Sequence, residues 1–148
     1  MTNISRSRSI SAPGQAIWDA LADFGSLSSW ADVDHSCICN HPAGGQGPGT
    51  TRRVQIGRNV LLECITEFVP PSTLAYDISG LPKRLRRVTN HWALRATGDG
   101  TVVTLTSTVE IGSGRLARLA ESVVLRRMAK LSEALLAGLA RRMETTHV

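Results

Sequence analysis

Apolar residues along this chain follow two different periods, and the switch between them divides the sequence. From about residue 114 to residue 143 the run RLARLAESVVLRRMAKLSEALLAGLARRM contains no proline. It places Leu116, Leu119, Ala120, Val123, Val124, Met128, Leu131, Leu135 and Leu139 three and four residues apart, the spacing of one face of an α-helix. At about 1.5 Å per residue such a helix runs roughly 40 Å. An apolar face of that length needs a broad partner, and the rest of the chain offers a sheet.

Ahead of that helix the dominant period is two. Residues 4–11 (ISRSRSIS) suit a first strand. Ala12, Pro13 and Gly14 then form a turn with proline near a helix start. Ile17, Trp18, Leu21, Ala22 and Phe24 follow at helical spacing, as far as Gly25. Ser26 is placed to cap a second, very short helix ending at Trp30. Strands are expected over 33–41, 50–56, 60–68, 73–79, 86–97 and 101–111, with a glycine-rich loop over 42–49. Gly57, Arg58 and Asn59 mark one hairpin turn, and Gly98, Asp99 and Gly100 another. Pro70 with Pro71, and Gly80 with Leu81 and Pro82, break the chain elsewhere, and residues 112–114 (GSG) hinge it into the long helix.

Strand faces follow from alternation. Leu74, Tyr76 and Ile78 share a face; so do Val88, Asn90, Trp92 and Leu94, and Val103, Leu105, Val109 and Ile111 oppose a face of threonines. In 60–68, Val60, Leu62, Cys64 and Phe68 form the more apolar face, which turns Glu63 to solvent. The element order is strand, two short helices, six strands, long helix. That order describes an α+β fold in which a seven-stranded antiparallel sheet wraps around a long C-terminal helix, with residues 1–148 as one domain.

Composition narrows the setting. The hydrophobic share of 42% over 148 residues suffices for one real core. The N-terminal MTNISRSRSIS lacks an apolar signal region, and no stretch approaches the length of a membrane span, so a cytoplasmic location is expected. Three cysteines are an odd number in ordinary strand sequence, which fits reduced thiols better than a disulfide framework. The net charge of +5 is spread over Lys83, Arg84, Arg86 and Arg87, then Arg126, Arg127, Lys130, Arg141 and Arg142. A solvated surface accounts for it, with a nucleic-acid or anionic-membrane binder as the third-ranked functional reading. Nucleic acid is disfavoured by the few aromatics, which carry strand periodicity and read as buried.

Several motifs are excluded. The 42–49 loop lacks GxxxxGK[ST] and runs into a strand, so it cannot hold phosphate at a helix start. GxSxG and HExxH are absent, and Cys64 has no evident histidine partner. His35, Cys37, Cys39 and His41 share one strand face, but at about 3.3 Å per residue the outer pair stand roughly 20 Å apart. Zinc needs ligands at about 2.0–2.3 Å, so no metal and no cofactor is assigned.

The stretches SAPGQAIWDALADFGSLSSWADV, GPGTTRRV, LLECITEFVPPSTLAYDISGLP and GDGTVVTLTSTVEI, in this order and spacing, resemble the START-like (Bet v 1-like, SRPBCC) superfamily. Within it they resemble the polyketide cyclase/dehydrase group, over nearly the whole chain. The resemblance implies the helix-grip fold, with a deep cavity between sheet and C-terminal helix, and hence a hydrophobic or aromatic, lipid- or polyketide-like ligand. It leaves open whether the protein carries that ligand or acts on it as a cyclase, aromatase or dehydratase, because one fold serves both. The partner expected is thus a hydrophobic small molecule, for a monomer or homodimer.

The resemblance also turns Glu63 inward, against the alternation, and makes it the candidate catalytic acid or base. Asn90, among Val88 and Trp92, is a candidate ligand anchor, and Tyr76 joins it because a buried hydroxyl needs a partner. Trp18 and Trp30 read first as packing residues. Trp30, at the end of the second helix, is also placed to line the cavity mouth. The candidate ligand set is therefore Trp30, Glu63, Tyr76, Val88, Asn90 and Trp92. His91, facing away from Trp92, is expected to be exposed.

Overall fold

A computed structural model describes residues 2–43, 46–81, 85–111 and 115–146. Three expectations fall outside the described residues: the side chains of Ile111, Leu116, Leu119 and Ala120, the pair Lys83 and Arg84, and the 112–114 hinge. The elements are β1 (Thr2–Ile10), α1 (Gly14–Ala22), a 3₁₀ helix (Phe24–Ser29), β2 (His35–Asn40), β3 (Thr51–Ile56), β4 (Asn59–Val69), β5 (Thr73–Ser79), β6 (Leu85–Thr97), β7 (Gly100–Ile111) and α2 (Arg115–Thr146).

The seven strands form one antiparallel sheet in the order β1-β7-β6-β5-β4-β3-β2. From β3 to β7 each strand pairs with its predecessor, so local connections suffice. Only the step from β1 to β2 crosses the sheet, and α1 with the 3₁₀ helix carries it. The hairpins are fixed by their turns: Ile56 pairs with Asn59 across Gly57 and Arg58, and Thr97 pairs with Gly100 across Gly98 and Asp99. Gly57 sits at φ +60°, a conformation that costs glycine little and other residues more.

Alternation sorts β7 cleanly. Val103, Leu105, Ser107 and Val109 point inward and are all buried, while Thr104 and Thr106 point out and exchange hydroxyl hydrogen bonds with Ser7 and Ser5 of β1, each at 2.8 Å. Against the inner face pack Ile17, Trp18 and Leu21 of α1, Phe24 of the 3₁₀ helix, and Leu136, Leu139, Ala140 and Met143 of α2.

Two expectations are corrected. The buried stripe of α2 runs through Ala129, Ser132, Leu136, Leu139, Ala140 and Met143, and leaves Val123 and Leu131 at 59% and 60% exposed. The sequence carries two apolar stripes on this helix, and the one chosen by spacing alone is rotated from the one that packs. Ser26 is not a cap: it lies inside the 3₁₀ helix, which begins at Phe24 after Asp23. The seat of that helix comes from β2, where Ser36 Oγ accepts from the Ser28 N–H at 2.8 Å and donates to the Gly25 carbonyl at 2.8 Å.

Candidate functional site

β4 decides where the charged chemistry goes. Glu63 and Ile65 are 6% and 1% exposed, whereas Val60 and Leu62 are 39% and 42% exposed. Alternation failed because a bulge intervenes: Ile65 pairs with Tyr76, but the next paired residue is Glu67, opposite Ala75. The extra residue returns Phe68 to the inner face, so Phe68 carries no information about the parity of residues 60–64.

Inward-facing Glu63 meets a residue that the sequence reading passed over. Arg52 of β3 is its direct cross-strand partner, and Arg52 Nε donates to Glu63 Oε1 at 2.7 Å with side-chain exposures of only 4% and 8%. A second guanidinium N–H donates to the Phe24 carbonyl at 3.0 Å. The guanidinium carbon lies 3.8 Å from the Phe24 ring centre and 4.8 Å from that of Tyr76. A buried charge is tolerable only when paired and hydrogen-bonded, and Arg52 has a carboxylate, a carbonyl and two aromatic faces. The signal was present: in TRRVQI, Arg52 shares a face with Val54, which is 2% exposed. A two-residue turn would have paired Arg52 with Glu63, but the three-residue turn expected from the sequence shifts that pairing by one.

The next row of the sheet is neutral. Tyr76, Asn90 and Ser107 lie opposite one another on β5, β6 and β7. Ser107 donates to Asn90 Oδ1 at 2.6 Å, Asn90 Nδ2 donates to the Tyr76 hydroxyl at 3.3 Å, and Trp92 Nε1 donates to the same hydroxyl at 3.2 Å. Both of the Tyr76 partners are obligate donors, so its oxygen accepts twice. No acceptor for its own proton is found among the described residues. Burial pushes the Tyr76 pKa up and the nearby Glu63 charge adds to this, while Arg52 and the two donated hydrogen bonds act in the opposite direction. Tyr76 is thus a buried phenol, protonated at neutral pH.

Trp30 closes the arrangement from outside. Its ring meets Trp92 edge to face at 6.2 Å, and its indole Nε1 is buried with no partner among the described residues. The same residue lines a cleft of about 800 Å³ between the end of the 3₁₀ helix and the C-terminal part of α2, with Ser29, Ala31, Asp32, Gly138 and Arg142 among its walls. Gly138 makes this junction close, since a Cβ there would stand 2.5 Å from the Trp30 carbonyl oxygen.

The structure therefore brings together five of the six candidate ligand residues, Trp30, Glu63, Tyr76, Asn90 and Trp92. Val88 also faces inward, at 2% exposed, but packs outside the cluster that holds Tyr76 and Trp92. Trp18 packs edge to face on Phe68. His91 is half-buried rather than exposed, 3.6 Å from Glu67. Cys37 is half-buried and Cys39 exposed.

A sheet of this order wrapped on a long C-terminal helix defines the helix-grip fold of START-like proteins. Residues 1–144 match the family described as polyketide cyclase / dehydrase and lipid transport, and the chain belongs to that family. Among solved structures, a START superfamily protein from Mycobacterium smegmatis is similar at TM-score 0.78 and 14% identity, over 97% of this chain and 98% of that one. A protein of Thermus thermophilus is similar at TM-score 0.77 and 22% identity, over 99% and 100% of the two chains. The di-domain ARO/CYC StfQ from the steffimycin biosynthetic pathway is similar at TM-score 0.80 and 14% identity, and this chain spans 51% of its length. No curated protein matches in sequence. No helix among the described residues is long and apolar enough to cross a membrane.

Proposed function

We propose that this protein binds a hydrophobic or aromatic small molecule bearing oxygen acceptors, of polyketide-like or lipid-like character, in the cleft at Trp30 between the end of the 3₁₀ helix and α2. The two best-formed pockets among the described residues are surface clefts, and the deep cavity expected between sheet and helix is occupied by core side chains. The observation that carries the reading is the buried indole N–H of Trp30, which has no acceptor among the described residues. Leaving such a donor unpaired costs about 1–3 kcal/mol, which an oxygen of a bound ligand would recover. Family membership supports the class of ligand, since the family description names polyketide cyclases, dehydrases and lipid transport.

The test replaces the N–H and keeps a ring. Trp30→Phe should weaken binding of a hydroxylated anthraquinone or a medium-chain fatty acid about fivefold, the worth of about 1 kcal/mol, when binding is followed by quenching of the remaining tryptophans. Equal affinity in both proteins would remove the main support.

One observation favours a catalytic version of the same site. Glu63 is held on Arg52 at 2.7 Å, which leaves Tyr76, its oxygen fixed by Asn90 and Trp92, as the candidate proton donor in a catalytic reading. In a cyclase or dehydratase, Tyr76→Phe would abolish turnover of a poly-β-ketone while leaving binding within a few-fold. In a carrier, no turnover exists to be lost.

A further inference from the structure

The outer face of α2 has a composition that solvation alone does not explain. Val123, Arg127, Lys130, Ala134 and Arg141 recur at intervals of three, four and seven residues, so they share one side of the helix. Arg126, Leu131 and Arg142 flank them, and all eight are exposed. The row from Val123 to Arg141 spans about 27 Å at helical rise.

Acids are kept off this row. Among the described side chains of α2, Glu121 lies on the packed side and accepts from the Thr2 hydroxyl. Glu133 turns to a flank and pairs with Arg6 at 3.1 Å. Glu144 accepts from the Ser11 N–H at 3.3 Å. The face that remains carries Arg126, Arg127 and Lys130, with Arg141 and Arg142 at its C-terminal end beside the cleft, where Arg142 donates to the Ser29 carbonyl at 3.4 Å. Set among them are Val123 at 59% and Leu131 at 60% exposed. Cations alone would suit any polyanion. Large exposed aliphatic side chains between cations suit a surface with anionic headgroups above an apolar layer, where long basic side chains reach the headgroups and the aliphatic ones enter the layer.

We propose that the outer face of α2 docks this protein on an anionic lipid bilayer. The docking stands on the charge and exposure of the helix, independently of what the cleft binds. Gly138, Arg141 and Arg142 belong both to the cleft wall and to this stretch of helix. A docked protein therefore presents its cleft mouth at the bilayer, where an apolar ligand would leave or enter without crossing water.

The experiment is co-flotation of the full-length protein with vesicles of phosphatidylcholine alone and of phosphatidylcholine with phosphatidylserine, at low and at physiological salt. Binding is expected only with phosphatidylserine, and it should weaken as salt rises. Each basic residue near such a surface is worth about a fivefold gain in partitioning, so Arg126→Gln, Arg127→Gln and Lys130→Gln together should cost about a hundredfold. Val123→Ser with Leu131→Ser should cost about tenfold. All five positions are exposed, and unchanged thermal unfolding of both variants confirms that the fold is kept. Equal binding to neutral vesicles, no binding to anionic ones, or insensitivity to either variant would overturn the proposal. Tight binding to duplex DNA that survives the serine pair but not the glutamine triple, with no vesicle binding, would overturn it in favour of nucleic acid. Success or failure here leaves the ligand affinity of Trp30→Phe unaffected, so the two readings fail separately.

Discussion

Breaking the Arg52–Glu63 pair should be among the costliest single changes available in this sheet. Both side chains are at least nine-tenths buried, at 4% and 8% exposed, so water screens neither charge. Glu63→Gln keeps the shape and one acceptor but leaves the guanidinium uncompensated. Breaking a buried pair from one side costs about 3–5 kcal/mol, and the retained amide oxygen and the Phe24 carbonyl bond place this case near about 3 kcal/mol. For a chain of this size that corresponds to a fall in Tm of about 6–12 °C. Arg52→Met should cost at least as much, because it strands the carboxylate and removes the stacking on Phe24 and Tyr76. The double variant Arg52→Met with Glu63→Leu, which removes both charges, should come back to within about 1 kcal/mol of the starting protein. Urea and thermal unfolding followed by tryptophan fluorescence would give all three values. The reasoning is refuted if Glu63→Gln costs under about 1 kcal/mol, as an exposed pair would. It is equally refuted if the double variant costs the sum of the singles, since partners in contact must couple.

Tyr76 is the only tyrosine in the chain, so the ultraviolet absorbance of tyrosinate reports this residue alone. Its folded pKa is raised above the ordinary 10.0, so the unfolded chain ionises first. The contribution of the buried phenol is therefore whole below pH about 10 and is lost as pH climbs from there toward the folded value, at about 1.4 kcal/mol per pH unit. Tyrosinate absorbance should appear together with loss of folded fluorescence, and a free titration near pH 10 in the folded protein would contradict the assigned burial. Gly138→Ala should destabilise by about 1–2 kcal/mol. The gain in helix propensity of about 1 kcal/mol is outweighed by a Cβ placed 2.5 Å from a backbone oxygen that cannot swing aside. Trp30 emission should shift to the red in that variant as α2 moves off the 3₁₀ helix, and a neutral or stabilising result would deny the close approach.

Much of this architecture was legible in the sequence because it rests on regular periods. Leu74, Tyr76 and Ile78 mark one face of Thr73–Ser79, which forms a strand over that same range, although Ala75 on the other face is buried as well. β6 places Val88, Asn90 and Trp92 inward as read. What escaped reading was irregular or long-range. The bulge in β4 reversed the apparent parity of Glu63. One residue of turn length hid the pairing of Arg52 with Glu63. On α2 two apolar stripes compete, and only the position of β1 and β7 decides that Leu136 and Met143 are covered while Leu131 is not. Ser107 lies on the inward face between Leu105 and Val109. Its partner Asn90 lies on the preceding strand, and the register of the Gly98 and Asp99 turn would have identified it.

The central claim is that a small hydrophobic molecule with oxygen acceptors is held at Trp30. Native mass spectrometry of the freshly purified protein, set beside its denatured mass and repeated on Trp30→Phe, tests it most directly. The account predicts a discrete excess mass that vanishes on denaturation, belongs to an oxygenated apolar compound, and is reduced in the variant. An unliganded mass in both proteins, with no complex formed on adding a hydroxylated anthraquinone or a fatty acid, would contradict it.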